Sequence, residues 1–229
     1  MWLTGHFAVA LIICLPLLLL LKEQRGLGLV YVAFFSVLPD FLHSGALRMA
    51  SHSLLGWAIM LSAVLALLII AFRPRPALLA IAALASFAHL LGDLYIGSIF
   101  PFYPFDPNYV VLHNLNTLFA LRAEVLFIIL AAVMLIVLLR PWTTLKGVRN
   151  YSPSQRRNLL VLMLPFGLMT LAEGAYYFLF FFRNQPGIVA GVILLAFLGL
   201  IAFSFIVTLL ALLPSAAREY DRCAQRQLY

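Results

Sequence analysis

Residues 53–72 read SLLGWAIMLSAVLALLIIAF, twenty positions without a charge. A helix rises about 1.5 Å per residue, so a run of this length spans the roughly 30 Å hydrocarbon core of a bilayer. Similar runs lie near 6–21, 27–42, 77–98, 122–140, 158–182 and 187–213. In lipid every backbone polar group must be satisfied within the segment, which limits such runs to helices. The expected fold is therefore all-α: one polytopic membrane domain over 1–229, a bundle of about seven transmembrane helices. The span near 27–42 is short, and partial insertion or little tilt is expected of it. Composition agrees, because 65% hydrophobic against 10% charged residues leaves too little polar surface for a soluble domain.

The net charge of +7 does not point to nucleic acid, since membrane proteins keep basic loops for topological reasons. Seven spans put Lys22, Arg25, Arg73, Arg75, Arg140, Lys146, Arg149, Arg156 and Arg157 on one side, joined by Arg218, Arg222 and Arg226 of the tail. Only Arg48, Arg122 and Arg183 fall on the other. Twelve against three predicts that the richer side is cytoplasmic, with the N-terminus outside and the C-terminus, including the basic tail 214–229, inside. The opening MWLTGH has no basic n-region and no small-residue cleavage site follows it, so the first span is expected to stay as a helix. Cys14 lies in that span and Cys223 in the tail, so no disulfide is expected between them.

Between the fourth and fifth spans, roughly 99–121, the chain is apolar but broken by proline, asparagine and aromatics, as in FPFYPFDPNY. This predicts an interfacial or re-entrant lip. Its aromatics form either an interfacial belt or a gate for a lipid headgroup. The basic loop 140–157 and the tail are expected to face anionic headgroups.

The polar residues inside the apolar runs gather toward one side. His6 begins the first span, Asp40 and His43 end the second in LPDFLH, and His52 opens the third in ASHSLLGW. His89 and Asp93 lie in the outer half of the fourth, and His113 falls in the lip. Asp93 is about 24 Å along the helix from Ala77, and the i, i+4 spacing puts it on one face with His89. Taken singly, each has an ordinary role open to it. A His–Asp pair can be a structural hydrogen bond, Asp40 after Pro39 can end a helix, Ser51 can cap one, and His6 or His113 can sit at the interface. An ionisable group at such depth, however, needs a partner or a wet cavity. Imidazoles and carboxylates converging from four segments are what a borderline divalent cation such as zinc accepts. Glu173, in LAEGAYY of the sixth span, either pairs with Arg122 or Arg183 or joins this site.

TGH, LPDFLH, SHS and HLLGD followed by GSIFPF, in this order over residues 1–105, resemble the predicted membrane-bound metal-dependent hydrolases, the YdjM-like family. That family is distantly similar to zinc-dependent phospholipase C and P1 nuclease. The resemblance implies one zinc on Asp40, His52, His89 and Asp93, and a second using His6 with Asp93 bridging. It leaves His43 and Ser51 as supporting residues. Leu42 stands where relatives have a second carboxylate, Leu47 where they have a histidine, and Ser51 where they have threonine. The spans over 122–213 carry no motif of the family.

The expected function is hydrolysis of a phosphoester, in a phospholipid or lipid-linked substrate, by metal-activated water at the periplasmic face of a bacterial inner membrane. One or two zinc ions are the expected cofactor, with Asp40 or Asp93 as base. The membrane lipid is the partner, with neither nucleic acid nor a cytosolic protein. Two alternatives belong to other classes: a divalent-cation transporter or channel, and a non-catalytic assembly factor with a structural metal. The first would need acids or histidines in the cytoplasmic halves of the spans, where none are found.

Overall fold

The computed structural model describes residues 1–114, 117–184 and 187–213. Cys223 and the basic tail lie outside them. The described chain is helical: α1 (Leu3–Leu20), α2 (Arg25–Phe35), α3 (Gly45–Ser51), α4 (Leu54–Phe72), α5 (Pro76–Tyr95), α6 (Leu118–Met134), α7 (Pro141–Val148), α8 (Pro153–Tyr176) and α9 (Ile188–Leu212). A π-helical turn extends α6 through Leu139, and another extends α8 through Phe182. Among the described residues, seven helical segments are long and apolar enough to cross a membrane, and they coincide with the seven expected spans.

Antiparallel packing of α1 on α5 sets the frame. His6 of α1 stacks on His89 near the end of α5, while Cys14 approaches the Ile81 carbonyl nearer its start. The chain after Leu20 therefore returns beside the beginning of α5. α2 lies between α5 and α8, and α9 packs along α8 and α6. All ten residues from Gly26 to Phe35 are buried. GLGLVYVAFF is apolar on every side of a helix, and such a helix belongs in the interior. The short second span is thus the central one. Its Tyr31 hydroxyl accepts a 2.9 Å hydrogen bond from Asn158 Nδ2 of α8. By contrast α4, α6 and α9 turn Ile70, Leu126 and Phe205 outward, as lipid-facing helices do.

Two short helices leave no mark in the hydropathy pattern. α3 folds between the second span and α4. The cap of α4 is Ser53, whose hydroxyl accepts from Gly56 N at 3.0 Å, and not Ser51. α7 packs beside α2 at the far end of the bundle. The lip forms no span. It bends back through isolated bridges Ile96–His113 and Ile99–Val110, and it is tied to the α3–α4 turn. Phe100 N donates to the His52 carbonyl at 3.0 Å, and Leu54 N to the Pro101 carbonyl at 3.2 Å.

Candidate metal centre

Four residues from three separate parts of the chain meet under this lip. Asp40 comes from the 3-10 turn Leu38–Leu42 that follows α2, His52 from the α3–α4 turn, and His89 and Asp93 from α5. All four are buried, and one ligand atom from each lies within 4.8 Å of the others. Their polar heads are thus withdrawn from water, a costly arrangement unless they bind one another or a cation.

The tautomers of the two histidines follow from their outer contacts. His89 Nδ1 is 2.8 Å from the Ser36 carbonyl oxygen, and His52 Nδ1 is 3.1 Å from that of Arg48. A carbonyl only accepts, so Nδ1 carries the proton in each ring and Nε2 turns inward. Metal-ligating histidines are commonly oriented in this way by an outer acceptor.

The inward atoms are spaced like the corners of a coordination sphere. His52 Nε2 is 3.2 Å from His89 Nε2, 3.3 Å from Asp40 Oδ1 and 3.1 Å from Asp93 Oδ2. His89 Nε2 is 3.6 Å from Asp40 Oδ1 and 3.5 Å from Asp93 Oδ2. A tetrahedron with bonds of about 2.0–2.1 Å has edges of about 3.3–3.4 Å, so these separations suit a zinc-sized ion. The donor set, two neutral imidazoles and two carboxylates, also suits a borderline cation. Protonation of His52 can hold the same four groups together without metal. Burial opposes charge on its ring, but hydrogen bonds to Asp40 and Asp93 outweigh it and raise its pKa to about 9 from an ordinary 6.5.

His6 approaches from the other side of Asp93. Its Nε2 is 3.2 Å from Oδ1, the oxygen turned away from the four-residue group, and its ring stacks on His89 at 3.7 Å. His6 Nδ1 is buried without a hydrogen-bond partner among the described residues. The Met1 amino group donates to the same Asp93 oxygen at 2.8 Å. Asp93 thus faces His52 and His89 with one oxygen and His6 with the other. Close by, Gly97 has φ +152°, and a Cβ there would stand 2.8 Å from Asp93 Oδ1. Only glycine leaves the carboxylate where it is.

His43 Nδ1 is 3.0 Å from Asp40 Oδ1, with its own ring half exposed, and Ser51 Oγ is 2.9 Å from His52 Nδ1. His113 is not in the cluster; its ring packs on Tyr95 and Phe119.

A cavity of about 710 Å³ opens beside the cluster, and Asp40, Asp93, His43, Arg48 and Glu173 are among the residues that line it. The two carboxylates face it, while His52 and His89 lie behind. Glu173 forms no ion pair with Arg122 or Arg183, and its Oε2 is buried without a partner among the described residues. The group that sequence reasoning passes over is Glu124 of α6. It is fully buried and accepts from Trp2 N and Thr4 Oγ1, both at 3.4 Å, at the start of α1. The positive end of a helix favours a carboxylate there. Its signal is present in the sequence: a lone acid in LFALRAEVLFIIL is as conspicuous as Asp93.

No protein-family model, curated protein or solved structure matches the chain.

Proposed function

We propose that the protein is a membrane-embedded, metal-dependent hydrolase of a phosphoester, with a phospholipid or lipid-linked substrate, working at the extracytoplasmic face of a bacterial inner membrane. The observation that carries this reading is the inward pair of Nε2 atoms, each oriented from behind by a backbone carbonyl, facing two carboxylates at coordination spacing. When bound there, a divalent cation supplies Lewis acidity, activating water and polarising an ester oxygen. The chain's own residues do the rest. His52 and His89 would hold the cation from the buried side and Asp40 and Asp93 from the side that opens to the cavity, from which water and an ester can reach it. A carboxylate oxygen of Asp40 or Asp93 not engaged by the cation accepts a proton from the attacking water. Arg48 lines the same cavity and places a fixed cation where an anionic ester would lie.

The distribution of basic residues supports this placement of the site. Nine of the described lysines and arginines sit at the opposite end of the helices, in or beside the connections, and that end is read as cytoplasmic. The resemblance to the membrane-bound metal-dependent hydrolases supports the same chemistry. A transport role gains nothing from the structure: α1, α2 and α5 turn Leu11, Leu18, Leu29, Val30 and Ile81 into the core away from the cluster.

The test is metal content of the purified protein beside His89→Ala and Asp93→Ala, followed by a phosphodiester and phospholipid hydrolysis assay. About one zinc per chain in the wild type, lost in both variants together with metal-dependent hydrolysis, supports the proposal. Wild-type protein that binds no stoichiometric metal after reconstitution would refute it, as would a metal-loaded protein that hydrolyses no phosphoester.

A further inference from the structure

At the end of the bundle away from the cluster lies a second cavity of about 860 Å³. It is walled by the Lys22–Arg25 turn after α1, by Arg75 ahead of α5, by Thr143, Thr144 and Gly147 of α7, and by Asn150, Tyr151 and Gln155. The wall is rigidly tied. The Tyr151 hydroxyl accepts from Leu27 N at 3.0 Å and donates to the Glu23 carbonyl at 3.3 Å, joining the segment before α8 to the start of α2.

Three cations and a single carboxylate, Glu23, line this space. All seven close charge contacts among the described residues belong to the metal end, and none involves Lys22, Arg25 or Arg75. A basic loop required only for topology needs no particular geometry. Arg25 has one. It is half-buried, its Nη2 is anchored on the Leu19 carbonyl at 3.1 Å, and its Nε is shut away from solvent with no acceptor among the described residues. Gln24, next to it, also keeps a buried side-chain oxygen without a partner. An adjoining cavity of about 190 Å³ shares Gln24, Arg75 and Gln155 and adds Arg73.

A guanidinium held at one edge, with an unfilled donor and two further cations beside it, matches the oxygens of a phosphate. The side-chain amide NH2 groups of Asn150 and Gln155 suit the remaining oxygens. The cavity lies at helix ends, at the depth of headgroups, where basic pockets between spans recruit anionic lipid. We propose that it binds the phosphate of an anionic phospholipid, with Arg25 as the oriented contact and Lys22 and Arg75 as flanking charges. The proposal is independent of any activity at the metal end.

Detergent-purified full-length protein is titrated with phosphatidylglycerol, with phosphatidylcholine and with inorganic phosphate, and bound lipid is counted by native mass spectrometry. Wild type is expected to prefer phosphatidylglycerol. Arg25→Gln should weaken that binding on the order of tenfold, and Arg75→Gln about fivefold, as for one surface charge. Arg25→Lys, which keeps the charge and loses the fork, should recover only part of the affinity. Metal content, set at the other end, should stay at the wild-type value in each variant. Equal binding of the two lipids overturns the proposal, and so does an affinity for phosphatidylglycerol unchanged by Arg25→Gln. Inorganic phosphate bound as well as the lipid, in an Arg25-dependent way, makes this a soluble-anion site and overturns the lipid assignment. Should Arg25→Gln fail to fold, the exposed Arg75 and Lys22, each changed to Gln, decide the matter by the same criterion.

Discussion

At the end of the bundle that holds Asp40, His52, His89 and Asp93, seven contacts within 4.0 Å join acidic to basic groups, and the acids are buried. At the other end Lys22, Arg25 and Arg75 surround a cavity and enter none of these contacts. Both ends concentrate charge in a chain that is only 10% charged, yet they do so in different ways. The first holds ligands of opposite character so close that each depends on the others. The second sets three cations around a single carboxylate, and none of them enters an ion pair among the described residues. Damage should therefore spread within the first end and stay local at the second.

The largest effect is expected from Asp93→Ala. It removes one inward oxygen from His52 and His89 and the other from His6, leaving buried groups without their partner. Breaking a buried charge pair costs about 3–5 kcal/mol, so thermal unfolding should drop by many degrees as metal is lost. If Asp93→Ala unfolds like wild type, the interdependence of the cluster is disproved.

Metal uptake should be strongly proton-linked. The raised His52 pKa stabilises the metal-free fold fully below about pH 6.5, and that contribution fades as pH rises through about 9. A cation competes with the same proton, so apparent affinity should rise about tenfold per pH unit between 7 and 9. Chelator-competition titrations at three pH values measure this; a flat profile places the proton elsewhere.

Gly56→Ala should come next. A Cβ there would stand 2.0 Å from the Ala50 carbonyl oxygen, backbone that cannot rotate away. The α3–α4 turn must shift, carrying His52 with it, at a cost of about 1–3 kcal/mol. Weaker metal retention with the helices intact by circular dichroism is the expected signature.

Tyr151→Phe should have the smallest effect on the cluster and is the control from the other end. It strips the buried Leu27 N of its acceptor, a loss of about 1–3 kcal/mol in the unfolding equilibrium, and should leave metal content untouched. A loss of metal here would show that the two ends are coupled.

Much of the metal end is legible in the order of residues alone. In an apolar run each charge is expensive, so Asp40, His89 and Asp93 announce themselves, and His52 does so by standing at the head of a span. Glu124 is equally conspicuous, but no histidine stands near it in sequence to suggest a partner, and its donors come from the distant start of α1. Other features are illegible for a physical reason. α2 is doubtful by length, but its burial depends on neighbours, and hydropathy does not separate a helix inside the bundle from one against lipid. α3 and α7 are too short for hydropathy to single out. Nothing in the order of residues tells which oxygen of Asp93 meets His6 and which meets His52.

By itself, then, the sequence determined that the chain forms helices, seven of them among the described residues long and apolar enough to cross a membrane. It also determined which residues are too costly to bury alone. Only the tertiary structure decided how they are satisfied. The Ser36 and Arg48 carbonyls turn two imidazoles inward, and the packing of α1 and α2 on α5 brings carboxylates 40 and 93 to the same two nitrogens. Such contacts depend on tenths of an ångström across segments far apart in sequence, and that precision comes from packing.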